Sequence, residues 1–197
     1  MRLSLFAFLI ISTCACNNTN TSSIDVPQKT DTIHAVQEKI LFFPVSDYIG
    51  GQIMDIIKNK TPIKKYTIKG GHIDSVKVKI GDFKNLVNEF LVPEIDSVNL
   101  VPFFTESKFL DQTIDAFTFS YDAKPKLPDS ILLRHWDVYV EPGSGNVKRI
   151  YLVKKINEDK QLQLTWQSNK WCKITTILNS PSGASTVEKE EKISWEF

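Results

Sequence analysis

The chain has 197 residues, of which 42% are hydrophobic and 24% charged, a balance typical of a folded domain and outside the disordered range. Its formal net charge is +1, so the charge of the whole chain makes no case for a nucleic acid or an acidic substrate. With Cys14 and Cys16 near the N-terminus and Cys172 far from them, no disulfide framework is implied.

Met1-Arg2 followed by an apolar run from Leu3 to Ile11 has the layout of a secretory signal: a short basic start and an h-region of roughly 7–15 residues. It is shorter than the ~20 apolar residues a membrane-spanning helix needs. Small residues then lead into "TCACNN", a segment that resembles a bacterial lipobox, in which a cysteine is acylated and becomes the first mature residue. Two registers compete. Cleavage before Cys14 leaves Thr13 at the last signal position, and cleavage before Cys16 leaves Ala15 there. The alanine favours Cys16 as the lipid-bearing residue, with residues 1–15 as the signal peptide, although Thr13 stands where a lipobox ordinarily carries leucine. Acyl chains at about 0.8 kcal/mol per buried methylene give a stable membrane anchor. No aspartate follows the cysteine and no acidic cluster comes after it, so the expected address is the outer membrane, facing the periplasm. Residues 16–40 are polar and without periodicity and read as a tether with a mean reach of about 25–30 Å. Residues 41–197 are then expected to form one globular domain.

Within that domain, "FFPVSDYIGGQIMDIIKNK" spaces Ile49, Ile53, Ile56 and Ile57 helically, with Ser46 or Asp47 as a start signal. "IKKYTIKGGHIDSVKVKI" alternates on both sides of Gly70-Gly71, the pattern of a hairpin whose turn needs positive φ. Phe83, Leu86, Val87, Phe90 and Leu91 form an i, i+3, i+4, i+7, i+8 stripe, with Asp82 as cap and Pro93 as stop. After Pro102 the period changes to two. "AFTFSY" sets Phe117, Phe119 and Tyr121 on one face, and "RHWDVYVEPGSGNVKRIYLVKK" sets Trp136, Val138 and Val140 opposite His135, Asp137, Tyr139 and Glu141. "QLQLTWQSNKWCKITTIL" reads as a hairpin turning at Ser168-Asn169, and "EKEEKISWEF" as a charged edge strand. Consecutive strands with short turns imply an α+β fold: an antiparallel meander with two or three helices packed on one face.

The succession "FFPVSDYIGGQI", "KKYTIKGGH", "FKNLVNEFLVPEID", "FTESKFLDQTIDAFTFSYDA", "VKRIYLVKK" and a late "W…KITT" resembles a group of small lipoproteins of the Bacteroidetes. That group carries no assigned activity, so the resemblance implies the anchor and the domain type and transfers no functional residue. The same setting gives meaning to "DTI", "DSV" and "DSI", which resemble the Asp-Ser/Thr-aliphatic acceptor of periplasmic O-glycosylation in these bacteria. Thr32, Ser97 and Ser130 are the candidate acceptors, and Ser75, in a strand, is a poorer one.

Signatures of catalysis are absent from the sequence: it has no phosphate-binding Gly-rich loop, Gly-x-Ser-x-Gly, Cys-x-x-Cys or His-Glu-x-x-His. His72-x-Asp74 and His135-x-Asp137 each place an imidazole and a carboxylate on one strand face, donors that would suit a divalent metal only if the strands met. Glu106 and Asp111 would do acid–base work only in a shared cleft. Cys172, in "WCKITTI", has no framing His or Asn and reads as an inert core thiol. Trp166 and Trp171 flank the "QSNK" turn and are candidates for meeting a sugar, a lipid or a protein. The expectation is therefore a non-catalytic binding or interaction module without metal or cofactor, anchored to the membrane and contacting a protein or small-ligand partner. The alternative is a carrier holding an apolar ligand between sheet and helices; an enzyme acting on envelope glycans ranks third.

Overall fold

The computed structural model describes residues 42–181 and 183–195; the signal, Cys14, Cys16, the tether and Thr32 lie outside them. The first element is helix α1, Val45–Lys58, which buries Val45, Ile49, Ile53 and Ile56 along one side. Ser46 does not cap it: its hydroxyl accepts from the backbone N–H of Ile95 at 2.9 Å. Strands β1, Ile63–Lys69, and β2, His72–Val78, follow, joined through Gly70 and Gly71 at φ of 56° and 79°, a turn glycine adopts at no steric cost.

Residues 79–103 then carry two one-turn helices, α2 (Phe83–Leu86) and α3 (Ser97–Leu100), among short 3₁₀ turns. The single helix expected over 83–91 is interrupted, with Val87 leaving helical geometry at φ −105°, ψ 9°. A 3₁₀ turn over Asn88–Phe90 continues the path. Because a 3₁₀ turn also returns a side chain to the same face after three residues, Phe83, Val87 and Phe90 all remain buried. Asp82 belongs to the preceding 3₁₀ turn and provides no side-chain cap.

Seven strands complete the domain: β3 (Phe104–Asp111), β4 (Ala116–Ala123), β5 (Leu133–Val140), β6 (Val147–Lys155), β7 (Lys160–Gln167), β8 (Trp171–Asn179) and β9 (Ser185–Trp195). Among the described residues they join the first hairpin in one antiparallel sheet ordered β2-β1-β9-β8-β7-β6-β5-β4-β3. The architecture is α+β, with a meander from β3 to β9 and few, small helices. The last strand is not an edge, contrary to its charged sequence. β1 pairs with β9 along its length, and the charges are met by cross-strand partners: Lys65 with Glu191 at 2.7 Å and Lys173 with Glu190 at 3.0 Å.

β2 and β3 are therefore the two edges, and residues 79–103 connect them. At a strand spacing of about 4.8 Å this link must traverse roughly 38 Å, and it does so together with α1 over one face only. Two aromatic groups mark that covered face. Tyr121 stacks on Trp136 at 4.5 Å, with Phe42 and Phe104 against them. Trp166 packs on Trp195 at 5.0 Å, with Phe90 and Phe83 edge-on. Each buried tryptophan contributes at most about 4–6 kcal/mol by area. Between sheet and covering layer the space is thus filled by rings.

Polar contacts fix where α1 sits. Gln52 accepts from the Trp166 indole N–H at 2.7 Å and donates to Tyr48, whose hydroxyl donates to Ser168 at 2.9 Å. Farther along, buried Lys154 donates to the backbone carbonyl of Glu89 and, at 2.8 Å, to its carboxylate, which ties the crossing link to β6. Replacing Gln52 leaves a buried N–H without an acceptor, a loss of about 1–3 kcal/mol. Chemical unfolding of Gln52→Leu is expected to show that loss, and the same substitution made in a Trp166→Phe background is expected to cost less; an unchanged midpoint in Gln52→Leu would contradict the anchoring role.

Candidate binding face

Strand pleating sends alternate residues to opposite faces. On β5, Trp136 and Val138 enter the covered core, so His135, Asp137 and Tyr139 emerge on the other side. Register supplies their neighbours: Asp122 and Ser120 of β4 stand opposite His135 and Asp137, and Tyr151 and Arg149 of β6 stand opposite Asp137 and Tyr139. The row through Asp137 continues across the sheet as Tyr151, Thr165, Lys173, Lys192 and Tyr66, ending at Ser75 on β2. No described element lies over this face.

At its β5 end the side chains lock together. His135 faces Asp122 through Nδ1 at 2.8 Å and Asp137 through Nε2 at 3.0 Å. Tyr139 donates to Asp137 at 3.0 Å, and the Arg149 guanidinium lies 4.2 Å from the Tyr139 ring centre. The hydrogen bond to Asp137, opposed by partial burial and helped by Asp122, raises the imidazole pKa to about 8. Burial works to raise the Asp137 pKa, but bonds from His135, Ser120 and Tyr139 hold it below the usual carboxylate value. Tyr139 is pushed up to about 12, chiefly by burial and then by Asp137.

With its pKa raised to about 8, this imidazole is mostly protonated at neutral pH and gives both N–H groups to carboxylates. The phenol remains a donor at neutral pH. Asp137, Tyr139, Arg149, Tyr151 and Thr165 line a cavity of about 300 Å³, a size within the range of small-ligand sites. It offers ring faces, hydroxyls and guanidinium N–H groups, chemistry suited to holding a hydroxylated molecule.

The residues singled out from sequence are dispersed. His72 and Asp74 lie on edge strand β2, six strand positions from β5 in the sheet order and on the opposite face, so the two His-Asp pairs do not meet. Among the described residues no group of three or more His, Cys, Asp or Glu could hold a metal ion. Glu106 points to the covered side, pairs with Lys108 at 2.8 Å and lies against Tyr121, whose pKa is raised mainly by burial. Asp111, five residues on and of opposite parity, accepts from the Thr113 backbone N–H; the two acids share no cleft. Cys172 is fully buried, and burial pushes its thiol pKa up.

Trp166 is a correction. It is fully buried and cannot serve as a surface-binding ring. A two-residue turn would have set Trp166 opposite Trp171, whereas the loop holds three residues, 168–170, so Gln167 pairs with Trp171 and Trp166 with Cys172. A one-residue change of register reverses the face. Trp171 thereby reaches the uncovered face, half-buried, with the Lys192 ammonium 5.0 Å from its ring. Ser130 is exposed in a turn. Ser97 opens α3 behind Asp96, whose carboxylate caps the helix through Val98 and Asn99. Sequence reading missed Asp122, Arg149, Tyr151 and Lys192, whose only signal is the shared parity of their strands.

No protein-family model, curated protein or solved structure matches this chain.

Because its folded pKa lies above the ordinary 6.5, His135 stabilises the fold fully below about pH 6.5, and that contribution is lost as pH rises through about 8. Solvent screening at exposed Asp122 holds it to the order of 1 kcal/mol. NMR titration of His135 is expected to give a midpoint near 8, falling most in Asp137→Asn and less in Asp122→Asn. A midpoint at 6.5 or below in the unaltered chain would contradict the pairing.

Proposed function

We propose that this chain is a lipid-anchored, non-catalytic binding module of the outer membrane, carried on Cys16 and using the uncovered sheet face as its docking surface. The observation that carries this reading is the sheet's one-sided cover. A nine-strand antiparallel sheet packs one face with α1 and residues 79–103 and leaves the other free of any described element. On that free face, hydrogen-bonded polar groups and half-buried rings surround a small cavity.

The carrier alternative receives less support. Rings of Trp136, Trp166, Tyr121 and Phe83, each at most marginally exposed, occupy the layer between sheet and helices where an apolar ligand would sit. Catalysis is likewise less favoured, since the one histidine of the cluster has both nitrogens engaged by carboxylates. The signal-like N-terminus and the resemblance read from the sequence to small Bacteroidetes lipoproteins support the anchor.

Mass spectrometry of protein gently extracted from its host tests both parts. Three acyl chains are expected on Cys16, lost in Cys16→Ala and retained in Cys14→Ala. Under native conditions an additional bound mass is expected, disappearing on denaturation and in the face variant Tyr151→Ala. Acylation at Cys14 would overturn the register. A bound mass indifferent to Tyr151 would move the binding site off the face.

A further inference from the structure

The uncovered face is not electrostatically uniform, although the whole chain is close to neutral. Three cross-strand rows pass over β2, β1, β9 and β8. In sheet order they read Ser75–Tyr66–Lys192–Lys173, Ile73–Ile68–Glu190–Thr175 and Lys77–Lys64–Ser194–Trp171. Four ammonium groups thus face a single carboxylate, and that carboxylate is bound to Lys173 at 3.0 Å. Lys192 and Lys64 instead rest on rings, at 5.0 Å from Trp171 and 4.7 Å from Tyr66. Lys77 stands exposed beside Lys64. Cation–π contact is compatible with simultaneous binding of an anion on the outer side of the ammonium.

Surface relief follows the same line. Tyr66 separates two cavities, one of about 360 Å³ floored by Lys192 and Glu190 and one of about 340 Å³ bordered by Lys64 and Lys77. Along the row from Tyr66 through Lys192, Lys173 and Thr165, the face reaches the cavity at Tyr151, four strands away, whose far wall at Asp137 is five strands away, about 24 Å at ordinary strand spacing. Ring platforms therefore recur along an extended track, cationic at one end and rich in hydroxyl and guanidinium groups at the other.

We propose that this track binds a strand of acidic polysaccharide, its sugar rings lying on Tyr66, Trp171 and Tyr151 and its carboxylates meeting Lys64, Lys77 and Lys192; this deepens the docking reading above and rests on it. Aromatic faces are apolar on top and tolerate the hydrophobic side of a sugar ring, while the polar groups between them satisfy its hydroxyls. The charge is too sparse for nucleic acid. Three uncompensated ammonium groups lie at one end, and Asp122 and Asp137 at the other would repel a phosphate on every residue of a chain. A membrane surface is a poorer match, because the lysines are laid out along a grooved line together with hydrogen-bonding cavities.

Lysine acetylation footprinting of the full chain in nonionic detergent tests the inference. The probes are a hexasaccharide of alternating glucuronic acid and N-acetylglucosamine, with an acid group on only every second residue, maltohexaose as a neutral counterpart, and phosphatidylglycerol added to the micelles. The acidic hexamer is expected to slow acetylation of Lys64, Lys77 and Lys192 and to leave Lys58 on α1 unaffected. Tyr66→Ala and Trp171→Ala are each expected to weaken its affinity about tenfold, the factor that 1.4 kcal/mol of lost contact produces. Equal protection by maltohexaose would overturn the requirement for acid groups, and protection by phosphatidylglycerol alone would make the occupant a membrane. Absence of protection by any probe would overturn the saccharide assignment. The docking reading would still stand if the host-derived mass depends on Tyr151, and would fall with it if that mass is indifferent.

Discussion

Everything in this fold depends on how a wide antiparallel sheet disposes of two unlike faces. Pleating sends alternate residues of each strand to opposite faces, and the large apolar side chains that β1 and β3 to β9 send to one of them must be taken out of water together. Among the described residues the cover is thin: helix α1 with Phe42 before it, the link 79–103, and Leu127 and Ile131 of the β4–β5 connection. They succeed because the covered face is dominated by large rings: Trp136 and Tyr121 toward one side, Trp166 and Trp195 toward the other. Each ring group is packed by further rings, Phe42 with Phe104 of β3 in the first case and Phe83 with Phe90 of the link in the second.

The placement of that thin cover is set by a few polar contacts within an apolar layer. Gln52 reads the position of Trp166, and Lys154 reads that of Glu89. Burying an indole N–H or an ammonium is costly without a partner, so these contacts discriminate against other seatings of α1 and the link more than they add to stability. The opposite face needs no such cover. Its groups satisfy one another in the Asp122–His135–Asp137–Tyr139 chain and in cation–π contacts, which lets a broad surface remain in water while presenting organised chemistry.

Much of this was legible in the sequence, and the limits have physical causes. The alternation around Gly70-Gly71, the His135–Tyr139 parity and the helical spacing from Ile49 to Ile56 are local, and all appear as read. The interior position of β9 depends on pairing with β1, more than a hundred residues earlier, and no local pattern encodes that. Its Lys-Glu run looks like an edge because charges mark edges when unpaired, and here they are paired. Trp166 and Trp171 were separated by a single extra loop residue, with Asn169 at φ 60° accommodating the three-residue turn. His135 and Asp137 stood out as a pair, but Asp122, Arg149 and Tyr151 join them only through register across three strands.

On the proposed docking reading, the uncovered face is occupied in the cell while the covered face is sealed by the protein itself. Hydroxyl-radical footprinting of intact host cells, compared with the purified chain, examines it directly. Trp136 and Trp166 should resist oxidation in both, and Tyr66, Tyr151 and Trp171 should be oxidised readily in the purified chain and protected in cells. Equal oxidation of those three rings in both settings would contradict it.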